Sequence, residues 1–90
     1  MPNTEAASSN RAIITVLGSD RPGIVASVTG ELADREANIL DISQTILQGT
    51  FTMTMLVDLG DSVDFSELKG ALDGLSEKLG VQITLQREEV

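Results

Sequence analysis

The sequence predicts an α+β sandwich, a four-stranded antiparallel sheet with two helices on one face, and three features point to it. Apolar residues alternate with mostly polar ones over 51–59, Leu56 being the exception, and with polar ones strictly over 81–86, the two-residue period of half-buried strands. Over 24–32 and 65–79 the apolar residues recur at helical spacing instead. Glycine, proline or asparagine marks the changes of period, so six elements follow in the order β-α-β-β-α-β.

Met1–Asn10 is small and polar without periodicity and reads as a disordered N-terminal tail, leaving one domain over 11–88. Ala12–Leu17 is a β-branched apolar run ending at Gly18, the pattern of a central buried strand. The turn Gly18-Ser19-Asp20-Arg21-Pro22-Gly23 has a helix start built into it, with Pro22 suited to the first helical position. The first helix is expected from Pro22 to Glu36. Ile24, Val25, Val28 and Leu32 should face the sheet, while Ala26, Gly30, Ala33 and Ala37 form a second stripe of tiny side chains. A mid-helix glycine costs about 1 kcal/mol relative to alanine. Gly30 therefore implies either a close approach by another backbone or ligand, or a tolerated surface position.

Asn38 breaks the helix, Ile39–Leu47 forms a second strand, and Gln48-Gly49 makes a hairpin turn. In the third strand Phe51, Met53, Met55, Val57 and Leu59 make the core face. Asp64 should N-cap the second helix, with Glu67 three residues on and Val63 and Leu68 as a hydrophobic staple. Phe65, Leu68, Leu72, Leu75 and Leu79 lie along one stripe, and Gly80 ends the helix. Gly70 and Gly74 fall on the opposite side, where core packing gives no reason for them. Val81–Gln86 is the last strand. Right-handed crossovers set the first and third strands side by side, the ferredoxin-like βαββαβ arrangement. The second and fourth strands are left as edges with few guarding charges and no proline, so an edge-to-edge or face-to-face dimer is expected.

Composition narrows the chemistry. The chain has 90 residues, with six basic against fourteen acidic side chains and a net charge of −8. One small domain with a thin core gains from association. The absence of Cys and His excludes a disulfide framework, a thiolate nucleophile, an imidazole base and a zinc or haem site, and no cofactor is expected. Two phenylalanines as the sole aromatics, together with the negative charge, argue against direct nucleic-acid binding. With no signal-like leader and no apolar run near the ~20 residues of a membrane span, a soluble, cytoplasmic domain is expected. Asp58, Asp61 and Asp64 recur every three residues, but the cap explains Asp64 and the loop explains Asp61, so no metal site is assigned. The open face of the sheet should present Thr52, Thr54, Ser43, Thr45 and Thr84, with Gln82 and Gln86, either to solvent or to another sheet.

The loop from Gly18 to Gly23 leads into a helix N-terminus, where the N–H groups of Gly23, Ile24 and Val25 favour a small anion. Asp20 can accept from an ammonium group, and the Asn38 amide both donates and accepts. Together they would suit a zwitterion such as a free amino acid. Asn38 opens the second strand and would meet the loop only through a neighbouring molecule or a bent loop. The competing reading makes Pro22 and Gly23 plain turn residues and Asp20 a partner of the helix dipole.

The stretch Gly18-Ser19-Asp20-Arg21-Pro22-Gly23-Ile24-Val25 with Ala37-Asn38-Ile39 resembles the signature of ACT domains. Asp41-Ile42-Ser43-Gln44-Thr45 and Phe51–Val57 resemble, more narrowly, small stand-alone ACT proteins of uncharacterised function and the ACT units of the glycine cleavage system transcriptional repressor. The likeness spans about Arg11 to Arg87. It implies a ferredoxin-like fold that pairs into homodimers and binds a small effector, commonly an amino acid, between subunits. Carried over by motif, the ligand contacts are Asp20, Gly23 and Asn38, flanked by Arg21, Ile24 and Ile39. Two positions depart from the pattern: Gly18 stands where such binders can offer an imidazole, and Asp20 where some have Asn.

Three functions are therefore open. The first is a non-catalytic regulatory module whose dimer senses a metabolite and acts on a partner protein. The second is a protein-interaction subunit with no small ligand, for which the charge of −8 suits a basic partner. The third is an acyl-phosphate hydrolase, which would use Arg21 to hold phosphate but finds no partner amide in the third strand.

Overall fold

The computed structural model describes residues 10–61 and 63–88, so of the expected tail only Asn10 is among them. Six elements follow in the expected order: β1 (Arg11–Ser19), α1 (Ile24–Asp34), β2 (Asn38–Leu47), β3 (Thr50–Asp58), α2 (Phe65–Leu79) and β4 (Gln82–Arg87). The strands form one sheet in the order β2-β3-β1-β4, every neighbour antiparallel, which is the ferredoxin-like arrangement.

Alternation along the strands builds the core. Ala12, Ile14 and Val16 of β1 share a buried face with Phe51, Met53, Met55 and Val57 of β3 and Ile83 of β4. Ile24, Val28 and Leu32 of α1 and Leu68, Leu72 and Leu79 of α2 join the same cluster. The staple residues Val63 and Leu68 are both buried. Asn10 closes the sheet's lower end: its carbonyl accepts from the Leu59 N–H at 2.9 Å, and its side-chain oxygen from Arg87 Nη1 at 3.0 Å. No polar or charged side chain is buried among the described residues.

Helix α1 is shorter than Pro22–Glu36 at both ends, and its caps explain why. Gly23 is the N-cap with φ 91°, a left-handed conformation that places Pro22 ahead of the helix rather than at its first position. At the other end Glu36 takes φ 61°; its N–H donates to the Ala33 carbonyl and that of Ala37 to the Leu32 carbonyl, both at 3.0 Å. That pair of bonds is a Schellman closure with Glu where glycine is usual. The strand then opens at Asn38, one residue before the expected start. Helix α2 matches its signals: the Asp64 side chain accepts from the Ser66 N–H at 2.9 Å, and Gly80 ends the helix at φ 71°. The bond goes to Ser66, one residue earlier than a capping box would place it.

The helix-interior glycines meet nothing in their own chain. Beyond the adjoining residues and backbone of its own helix, a Cβ built on Gly30, Gly70 or Gly74 meets no atom within 4 Å. For Gly30 this excludes a close approach by another backbone of the same chain. Since a helical glycine costs about 1 kcal/mol against alanine, the double variant Gly70→Ala/Gly74→Ala should gain about 2 kcal/mol. Chemical denaturation should show it as a higher midpoint at unchanged m-value.

Candidate functional site

The loop between β1 and α1 is held from three directions. A Cβ built on Gly18 would lie 2.6 Å from Val81 Cγ1 and 3.2 Å from Val81 Cα, so this position is glycine because the turn after α2 passes directly over it. The Asp20 N–H donates to the Gly49 carbonyl at 2.9 Å, tying the loop to the β2–β3 hairpin. Arg21 Nη1 donates to the Leu79 carbonyl at 2.8 Å, a cation set against the C-terminal end of α2. None of these ties is signalled locally in the sequence; the Arg21–Leu79 bond spans 58 positions.

What the loop offers outward is smaller. The first intrahelical bond runs from the Ser27 N–H to the Gly23 carbonyl at 2.9 Å, so the N–H groups of Ile24, Val25 and Ala26 precede the bonded ladder. The Gly23 N–H, at the N-cap, precedes the ladder too, so the expected set Gly23–Val25 is extended by Ala26. The Ile24 side chain is buried in the core, so only its backbone is available. Gly23 and the Asp20 side chain are exposed beside these amides.

Asn38 and Ile39 lie at the other end of the sheet. Asn38 pairs with Asp58, which pairs with Arg11 at the start of β1; Ser19, where the loop begins, pairs with Thr50. The ten-residue strand β2 separates these ends by about 30 Å at ~3.3 Å per residue. One chain therefore does not bring Asp20 and Asn38 together, and no bent loop closes the gap. The described residues of one chain also form no pocket. Among them no group of three or more carboxylates could hold a metal ion. Asp58 Oδ1 instead accepts from the Gly60 N–H at 3.0 Å.

Strand β2 is one of the two edges on which sequence reasoning expected pairing, but its exposed apolar side chains were not foreseen there. All of it except Ile39 is exposed, although it is rich in large apolar residues: Leu40 is 43%, Ile42 42%, Ile46 58% and Leu47 70% exposed. A bulge between Ile39 and Asp41 shifts the register by one. It sets Ile42 opposite Met55 and Ile46 opposite Phe51, on the helix-covered side, yet no helix reaches far enough to cover them. The irregular run Ile39-Leu40-Asp41-Ile42 is the one local hint of that bulge.

The family model for the ACT domain matches residues 10–86. A UPF0237 protein of Methanococcus maripaludis is 54% identical over 79 residues, covering 87% of this chain and 88% of that protein. An ACT domain protein from Streptococcus pneumoniae superposes with a TM-score of 0.76 at 43% identity, over 84% of this chain and 86% of that one. A structure assigned to a glycine cleavage system transcriptional repressor superposes with a TM-score of 0.79 at 25% identity, over 89% of this chain and 46% of that one. The family and its regulatory neighbour point to a ligand-binding, non-catalytic regulatory role. No helix among the described residues is long and apolar enough to cross a membrane. The chain belongs to the ACT domain family and, within it, to the UPF0237 proteins.

Proposed function

We propose that this protein is a regulatory sensor that binds a free amino acid between two copies of the chain and passes the signal to a partner protein. The observation that carries this reading is the separation of Asp20 from Asn38 by the whole length of β2, an exposed apolar edge. Two such edges paired antiparallel about Ser43 set Asn38 opposite the second copy's Gln48. That position is next to the Gly49 carbonyl which fixes Asp20. The same register puts Leu40 opposite Ile46 and Asp41 opposite Thr45, so apolar residues meet and like charges do not. The amides of Ile24–Ala26 then face the carboxylate, Asp20 the ammonium, and the second copy's Asn38 closes the site. Gly23, without a side chain, leaves the approach open. Arg21 acts as a brace for the loop, which removes it from the phosphate-holding role an acyl-phosphate hydrolase would need.

Ligand that binds only the pair stabilises it by mass action, about 2.7 kcal/mol at a hundredfold excess over Kd. Thermal unfolding against the twenty amino acids should reveal one or more that raise Tm by on the order of 10 °C. Asn38→Ala should abolish the rise while leaving the unliganded Tm in place. If no amino acid shifts Tm at millimolar concentration, the sensor reading fails and a protein-interaction role remains.

A further inference from the structure

The sheet face turned away from the helices carries a row of hydroxyls across all four strands. The registers set Thr84, Thr15, Thr54 and Ser43 abreast. Leu17, 43% exposed, flanks the row on one side, and the half-buried Ile13 and Leu56 flank it on the other. Across these three rows the only charge is Asp41, at the β2 edge, whose carboxylate accepts from its neighbour Ile42 N–H at 2.9 Å. In a chain of net charge −8, this surface carries a single charge.

We infer that this face is an interface between copies of the chain, in which two β2-paired dimers stack sheet on sheet into a tetramer. The inference rests on the paired dimer proposed above. Two arguments select a second copy as occupant. A basic partner would be drawn to acidic surface, and this face has almost none, whereas two copies that repel elsewhere can meet where each carries a single carboxylate. Each hydroxyl is also both donor and acceptor, so a hydroxyl row can bond to a copy of itself, as a row of carboxylates or ammonium groups cannot.

Area decides the order of assembly. Four strands ~4.8 Å apart and six residues long give a footprint of about 400 Å². Two such footprints total about 800 Å², at the level of non-specific crystal contacts. Joined through β2 into eight strands, the buried total doubles to about 1,600 Å², the standard size of a specific interface. Stacking therefore follows β2 pairing and does not precede it. Asp41 opposes it, because pairing brings the carboxylates of both copies to the middle of the combined face.

Sedimentation equilibrium on the full chain tests this. The wild type should reach four chains at high concentration. Thr54→Glu/Thr84→Glu, two exposed positions, should stop at two chains while keeping the wild-type circular dichroism. Asp41→Asn should tighten the tetramer several-fold, and Ile42→Lys/Ile46→Lys should give single chains. A wild type that stays at two chains at every concentration, or a tetramer indifferent to Thr54→Glu/Thr84→Glu, overturns the stacking and leaves the paired dimer standing. A wild type found only as single chains overturns the β2 pairing itself.

Discussion

Replacing Ile42 and Ile46 together by lysine should convert the assembled protein into folded single chains that no longer respond to an amino acid. Both side chains are already largely in solvent within one chain, 42% and 58% exposed, so the monomer's fold loses little. In the proposed dimer they line the seam, and lysine on an edge strand is the usual device by which proteins prevent strand-to-strand association. The substitution also changes the net charge from −8 to −6, which weakens general repulsion between copies. Loss of assembly would therefore have to come from the edge itself. Sedimentation should report the 9.5 kDa of one chain, with far-ultraviolet circular dichroism unchanged. An assembly mass equal to the wild type's would remove β2 from the interface.

Gly18→His should destabilise the protein by about 3 kcal/mol, the cost of overfilling a packed site. The resemblance to amino-acid-binding ACT domains makes the imidazole an attractive graft, since some relatives of that kind can offer one there. Val81 forbids it: even a bare Cβ at Gly18 falls 2.6 Å from Val81 Cγ1 and 3.2 Å from the backbone Cα. For a domain whose total stability is on the order of 5–13 kcal/mol, that is a large share. Tm should drop by roughly 15 °C. Val81→Ala in the same chain relieves the Cγ contact but not the backbone one, so it should restore only part of the loss. Thermal unfolding of the two variants checks both statements; full stability in Gly18→His alone would show that the turn yields freely.

Much of this architecture is legible in the sequence because it is local. The alternation of Phe51, Met53, Met55 and Val57 fixes a strand and its buried face, and the Asp64 and Gly80 caps fix a helix to within a residue. The β-α-β-β-α-β order with right-handed crossovers then leaves few sheet orders to choose from. Where the reading failed, the deciding forces were not local. Pro22 looked like the first helical residue, but the left-handed Gly23 defines the cap and pushes Pro22 out. The expected end of α1 at Glu36 lies two residues past the observed one at Asp34, since the left-handed conformation of Glu36 is held by the closing bonds rather than by its own preference. Gly30 left two readings open, and the exposed position fits the tolerated surface glycine, since the chain makes no close approach there with itself.

The candidate site divides the same way. Asp20, Gly23 and Asn38 could be picked out by type and motif, but the roles of their neighbours depended on distant partners. Arg21 is occupied by the Leu79 carbonyl and Gly18 by Val81, through contacts between segments that no spacing rule joins. The exposure of Ile42 and Ile46 depended on one extra residue at Leu40, which decides the side of the sheet they face. Without that bulge they would lie on the hydroxyl face, and the edge would present Asp41 to the helix side instead.

Complementation in trans bears most directly on the claim that the ligand site is shared between two chains. Asp20→Ala and Asn38→Ala each change an exposed side chain and should leave folding and pairing intact. Each variant alone should fail to bind the amino acid that gives the wild type its largest thermal shift. Mixed in equal amounts, they should recover calorimetric binding at about a quarter of the sites, because each mixed pair holds one site with both residues intact. Recovery of nothing on mixing, with mixed pairs shown to form, would place both residues' contributions within a single chain or outside the site altogether.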